Sequence, residues 1–293
     1  MIIAQISDTH IKRKGRLLHH MIDTARYLKR AVRRLNGLDP RPQVVLATGD
    51  LVESGKPKEY KRLRKLLDEL EIPLYVIPGN HDDRERFREA FSDHRYLPGT
   101  GRYVQYVIED YPVRLIGLDS LREGRSGGEL DPLRLYWLDT RLAEQPSRPT
   151  VVFLHHPPFR TGIRSVDALG FRGVEEFAGV IRRHPQVLRV VAGHIHRPLQ
   201  VPWAGTYAST APSTAHQIVL ELPERRPLGF VLEPPGFALH VWQPQSGLVS
   251  YACFTDAPGS VIDYPGFGDL RARGGAEYPP GITTFVAVDR AAS

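Results

Sequence analysis

Five short apolar runs in this chain each end in residues able to bind metal, and that coincidence limits the fold more than any other feature. Ile2–Ser7 leads into Asp8-Thr9-His10, Gln43–Thr48 into Gly49-Asp50, and Pro73–Pro78 into Gly79-Asn80-His81-Asp82. Val151–Leu154 ends at His155-His156-Pro157, and Val187–Ala192 at Gly193-His194-Ile195-His196. The runs have the length and β-branched content of strands, and Arg114–Leu118 is a further one. Helix-like segments lie between them, near 17–36, 57–70, 84–92, 131–143 and 173–184. Strands alternating with helices require crossover connections, so an α/β fold with a largely parallel core sheet is expected. In such sheets ligands gather outside the carboxyl ends of the strands.

Each polar ending has an ordinary explanation when taken alone. Asp50 could cap a helix, Asn80 could be a turn residue, and His155 could be bonded to backbone in the core. Their shared position at the ends of apolar runs is what carries the reading. In extended backbone residues two apart point the same way, so Asp8 with His10, and His194 with His196, each aim two side chains at one place. Gly49, Gly79 and Gly193 would let the backbone turn sharply or approach closely.

Composition narrows the class. No apolar run approaches a membrane span, and Met1–Ile6 meets polar Ser7-Asp8 too early for a secretion signal. The one cysteine, Cys253, excludes an intrachain disulfide or a cysteine metal cage, so a cytoplasmic protein is expected. Net charge is +6. All seven lysines fall at or before Lys65, and the densest basic stretch, Arg26–Arg34, lies on a helix with an apolar stripe of Met21, Ala25, Leu28, Val32 and Leu35. Those cations read as a solvated face, and no basic groove interleaved with aromatics points to a nucleic acid polymer.

From about residue 198 the texture changes. Ala215–Leu220, Gly229–Leu232, Ala238–Gln243 and Val249–Phe254 read as short strands, which suggests a β-rich antiparallel addition. The expected organisation is one domain over 1–256 and a Gly/Pro-rich tail over 257–293, packed on the domain or at an oligomer interface.

Asp8-x-His10, Gly49-Asp50, Gly79-Asn80-His81-Asp82, His155-x-Pro157 and Gly193-His194-x-His196, in this order, resemble the calcineurin-like metallophosphoesterase superfamily. Pro57 to Tyr60 and Thr214-Ala215-His216-Gln217 are similar to its bacterial branch of glycerophosphodiesterases and class III cyclic-nucleotide phosphodiesterases. The resemblance implies an α/β/β/α sandwich of two mixed sheets flanked by helices. It also implies two divalent or trivalent transition-metal ions, one held by Asp8, His10, Asp50 and His196 and the other by Asp50, Asn80, His155 and His194, with Asp50 bridging. Imidazole and carboxylate ligands without thiolate suit Mn, Fe, Zn or Co. His81 matches the family's non-ligand histidine, expected to stabilise transition-state charge or protonate the leaving alkoxide. His216 is expected near the substrate. Ser126, within Gly124-Arg125-Ser126-Gly127-Gly128, could reach the site from a loop.

The expected chemistry is hydrolysis of a small anionic phosphodiester by a metal-bound hydroxide, with a glycerophosphodiester-like substrate first and 3′,5′- or 2′,3′-cyclic nucleotides as the alternative. A protein phosphatase is disfavoured, because Leu51-Val52-Glu53-Ser54-Gly55 follows Gly49-Asp50 in place of Asp-Arg-Gly. A nuclease, which the basic charge permits, is likewise less expected, and a non-enzymatic scaffold would have lost ligands that are all present here. Self-association is expected from the branch. His19, His20, His94, His184 and His240 match no motif and are read as surface or packing residues, His156 as a supporting or packed residue, and Asp82 and Asp83 as helix caps.

Overall fold

A computed structural model of the chain describes residues 1–222 and 228–256, so the expected tail from 257 lies outside the described residues. The described elements begin with β1 (Ile2–Ile6), α1 (Thr24–Asn36), β2 (Val44–Thr48), α2 (Pro57–Leu67), β3 (Leu74–Ile77), α3 (Arg84–Ala90), β4 (Tyr106–Ile108) and β5 (Arg114–Gly117). Next come β6 (Gly128–Glu129), α4 (Pro132–Ala143), β7 (Thr150–Phe153), α5 (Arg164–Asp167), β8 (Phe171–Arg172), α6 (Val174–Arg183) and β9 (Val187–Ala192). The remaining elements are strands: β10 (Leu199–Trp203), β11 (Thr206–Thr210), β12 (Gln217–Ile218), β13 (Phe230–Val231), β14 (Gly236–Gln243) and β15 (Gly247–Phe254).

Two mixed sheets result. One has the order β15-β14-β1-β2-β3 and the other β10-β11-β9-β7-β5-β4. The β1-β2-β3 and β5-β7-β9-β11 pairings are parallel, while β4, β10, β14 and β15 join antiparallel. Alternation along the strands assigns the faces. Ile2, Ala4, Val45 and Ala47 share a buried cluster with Leu28 and Val32 of α1 and Leu63 of α2. Ile3, Val44, Leu46 and Ile77 share another with Val151, Val190, Leu138 of α4 and Phe177 of α6. The layers are therefore helix, sheet, sheet, helix. Each of the Val, Leu, Ile and Phe side chains among these contributes about 1.5–3 kcal/mol by leaving water.

A polar contact ties the sheets together within this core. Gln5 of β1 donates from Nε2 to Thr48 Oγ1 at 2.9 Å and to the Ala192 carbonyl at the end of β9 at 2.8 Å. Its Oε1 accepts from His240 Nε2 at 3.0 Å.

Several boundaries differ from the expectation. The helix expected from 17 starts at Thr24, because Leu18 and Ile22 bond each other as an antiparallel bridge and the Asp23 carboxylate then caps the Arg26 N–H. Met21 precedes the helix and is 63% exposed, so it leaves the apolar stripe. Within Ala215–Leu220 only Gln217–Ile218 is strand. β14 and β15 are the expected antiparallel addition, joined to the edge of the first sheet beside β1. Among the described residues no helix is long and apolar enough to cross a membrane.

Candidate metal centre

The five polar endings meet above the carboxyl ends of β1, β2, β3, β7 and β9, but not by strand alternation. Asp8, His10, Asp50, His194 and His196 all have left-handed backbone, with φ of 54°, 42°, 50°, 69° and 54°. The strands have already ended, and the side chains are aimed by successive left-handed turns. This conformation costs a non-glycine residue roughly 1–2 kcal/mol. Hydrogen bonds hold it: Asp8 N–H donates to Gly49 O, His10 N–H to Asp50 O, and Ser213 Oγ to Asp8 O at 2.9 Å. The layout also needs glycines where the loops come closest. A Cβ on Gly79 would collide with Asp50, and one on Gly193 with Ser7 Oγ.

Three imidazoles share one design. His10 donates Nδ1–H to Glu53 Oε2 at 2.9 Å, His155 to Thr48 O at 2.8 Å, and His196 to His216 O at 3.0 Å. Each Nε2 lone pair is thereby turned inward. His10 Nε2 lies 3.2 Å from His196 Nε2, His196 Nε2 3.4 Å from Asp8 Oδ1, and His155 Nε2 3.3 Å from Asp50 Oδ2 and 3.1 Å from Asn80 Oδ1. His10 Nε2 is 3.8 Å from Asp50 Oδ2. Asp8 and Asp50 are 0% and 2% exposed. Lone pairs and carboxylates converging in a dry place repel one another until a cation lies between them. Oxygen and nitrogen donors thus gather as a metal requires, in groups that include Asp8-His10-His196 and Asp8-Asp50-His155.

The protonation behaviour has the same cause. Burial acts to raise the Asp8 and Asp50 carboxyls, yet His196 and His155 beside Asp8, and His155 and His81 beside Asp50, hold both below the usual carboxylate range. Burial depresses His155, but the adjoining Asp50 and Asp8 outweigh it and bring it up to about 9. Burial, followed by repulsion from His155, takes His194 down to about 3. Burial also depresses His81, and Asp50 reverses the effect so that its net displacement is upward.

A cavity of about 330 Å³ opens onto this cluster. Its lining includes His10, Asp50, Asn80, His81, His194 and His196, together with His216 and Ser126. Asp8 and His155 are fully buried and touch that lining from behind. His216 packs its ring 4.6 Å from His196. His19, read as a surface or packing residue, lines the same cavity with its ring stacked 4.8 Å from Phe230. Asp83 caps α3, whereas Asp82 does not. It accepts from Leu51 N–H, Gly79 N–H and Tyr60 O–H, pinning together the loops that carry Asp50 and Asn80. Burial, then Asp50, lifts its carboxyl to about 7. Glu53 was not singled out by the sequence. Besides holding His10, it accepts His81 Nδ1–H through its carbonyl at 2.8 Å, and the available signal was its place three residues after Asp50.

Comparison with known proteins agrees. The family model described as calcineurin-like phosphoesterase matches residues 1–198. A probable glycerophosphodiester phosphodiesterase GpdQ of Arcobacter nitrofigilis is 37% identical over 255 residues, covering 87% of this chain and 93% of the relative. The 3′,5′-cyclic adenosine monophosphate phosphodiesterase CpdA of Escherichia coli K12 is 28% identical over 215 residues, covering 73% and 76%. A dimetal phosphatase from Danio rerio shares the fold, with a TM-score of 0.57 and 17% identity over 87% of this chain and 99% of that one. Two-thirds of its length matches the family model, and its relatives align over most of both chains: this chain belongs to the calcineurin-like phosphoesterases.

Proposed function

We propose that the chain hydrolyses small phosphodiesters at a two-metal centre, with glycerophosphodiester-like molecules as substrates. The convergence of inward-turned Nε2 lone pairs on two buried carboxylates carries this reading. Asp8, His10, Asp50 and His196 would hold one ion, and Asp50, Asn80, His155 and His194 the other, drawn from Mn, Fe, Zn or Co. When bound, such ions polarise the phosphoryl oxygens and lower the pKa of water to about 7. The protein's own groups do the rest. Glu53, Thr48 and His216 fix the ligand imidazoles by accepting their Nδ1–H groups. His81, held by the Glu53 carbonyl and with its side chain 38% exposed, presents Nε2 to the cavity to stabilise charge or protonate the departing alkoxide. His216 and Ser126 line the wall where a substrate would rest. A cyclic-nucleotide substrate is the second reading, favoured by relatives that bear that name.

Metal-reconstituted protein should be assayed on glycerophosphoethanolamine, 3′,5′- and 2′,3′-cyclic AMP, bis(p-nitrophenyl) phosphate and p-nitrophenyl phosphate. Cleavage of the diesters is expected, and cleavage of the monoester alone would sink the proposal. The same protein is read as a self-associating one, since the segment after 257 lacks the apolar pattern to form its own core. A light-scattering mass staying near 33 kDa at every concentration would refute that.

A further inference from the structure

A second cavity, of about 580 Å³, approaches the centre from the other side of His194. Small-molecule sites span roughly 300–1,000 Å³. Val166 and Leu169, on α5 and the turn after it, line both cavities and divide them, and His194 lies at the floor of both. The two cavities differ in their walls. The first carries the histidines of the centre along with Leu18, Leu228 and Phe230, whereas the second holds three aromatic rings, Phe159, Phe171 and Trp203, with Asp167 and Glu175 beside them. Arg160 also lines it, exposed and without an ion-pair partner among the described residues.

One buried polar atom points to a ligand there. His156 is 2% exposed and lines the second cavity, and its Nε2 makes no hydrogen bond. The other ring nitrogen is engaged. Ser120 Oγ accepts the His156 main-chain N–H at 3.2 Å and lies 2.9 Å from Nδ1. In the tautomer whose Nδ1 accepts the serine proton, Nε2 carries the ring proton and has no acceptor in the protein. The Ser126 carbonyl lies near the ring but does not satisfy Nε2.

We propose that the 580 Å³ cavity is a binding site for one alcohol arm of the diester, selective for a flat aromatic arm, with His156 Nε2–H donating to the ester or phosphoryl oxygen beside it. This rests on the diesterase reading given above. A diester carries two arms on one phosphorus. With the phosphorus at the ligand cluster, a flat arm enters this cavity between Phe159, Phe171 and Trp203 while a polar arm lies on the histidine side, and a diester with two polar arms, such as glycerophosphoethanolamine, keeps both of them there.

The test is Val174→Trp, which fills the cavity from its wall, with Phe159→Ala as a gentler second variant. Neither residue belongs to the ligand cluster. For bis(p-nitrophenyl) phosphate, KM should rise roughly 10-fold or more in Val174→Trp, the usual cost of misfitting an apolar pocket. For glycerophosphoethanolamine, kcat/KM should stay within about twofold. Phe159→Ala should move the two substrates apart in the same direction. Equal losses on both substrates, or no loss on the aryl diester in either variant, would overturn the proposal. If the unaltered protein cleaves neither diester, the diesterase reading fails by itself. The cavity is then judged by titrating tryptophan emission with diphenyl phosphate. A saturable change absent in Trp203→Phe upholds an aryl site, and its absence in the unaltered protein removes it.

Discussion

Around Asp8, His10 and His196 both imidazoles are braced from behind, by the Glu53 carboxylate and the His216 carbonyl, whereas around His155 and His194 only the first is braced. The His194 ring makes no hydrogen bond among the described residues, and its remaining companion, Asn80, offers a neutral amide oxygen. One half of the centre is pre-formed and rich in negative charge, and the other is looser and poorer in it. A braced ligand loses little freedom on binding, so the two halves should differ in affinity even for the same ion.

Asp50 is the point at which the contrast should vanish. It stands between the halves, 3.8 Å from His10 and 3.3 Å from His155, so Asp50→Ala should empty both and reduce diester hydrolysis to background. Elemental analysis showing two metals retained per chain would remove it from the bridging position. His81→Ala should leave both halves filled while lowering kcat by ~10²–10⁴. The loss should be smaller for p-nitrophenolate than for a glycerol alkoxide if the residue delivers a proton, and equal for both if it only stabilises charge. Metal loss in step with activity would make it a ligand instead.

Asn80→Ala should sharpen the contrast, weakening the loose half alone by at least ~100-fold, the upper end for lost outer partners. A titration with equal weakening of both halves would contradict the asymmetry. Glu53→Gln gives the smallest effect. The amide oxygen can still accept from His10, so only the charge is lost, and the braced half should weaken by about 10-fold. Weakening confined to the other half would reverse the assignment.

Legibility in the sequence followed the range of the interactions. The strand ends could be read because an apolar run, a glycine and a short polar group are adjacent along the chain. The helix start at Thr24 escaped because Leu18 and Ile22 satisfy the helical period while bonding each other as a bridge. β10 and β11 escaped for a different reason: β10 is a half-exposed edge strand containing Pro202, and only its pairing with Thr206–Thr210 makes it a strand. Asp82 and Glu53 look like a cap and a surface acid, and their work is done across loops that only the tertiary fold brings together. The left-handed turns were unreadable too. At Asp8 and His10 they are held by bonds with Gly49, Asp50 and Ser213, which Asp and His do not announce.

The donors come from different sheets. Asp8, His10, Asp50 and Asn80 follow strands of the first, His155, His194 and His196 follow strands of the second, and Gln5 pins the layers with a hydrogen bond just beneath them. An ion seated there is a rivet through two plates. Its binding energy adds to folding by RT ln(1 + [L]/Kd), about 4 kcal/mol at a thousandfold excess over Kd. A chelator should therefore act on this protein as a denaturant as well as an inhibitor, letting the two sheets part at the edge where the chemistry is done.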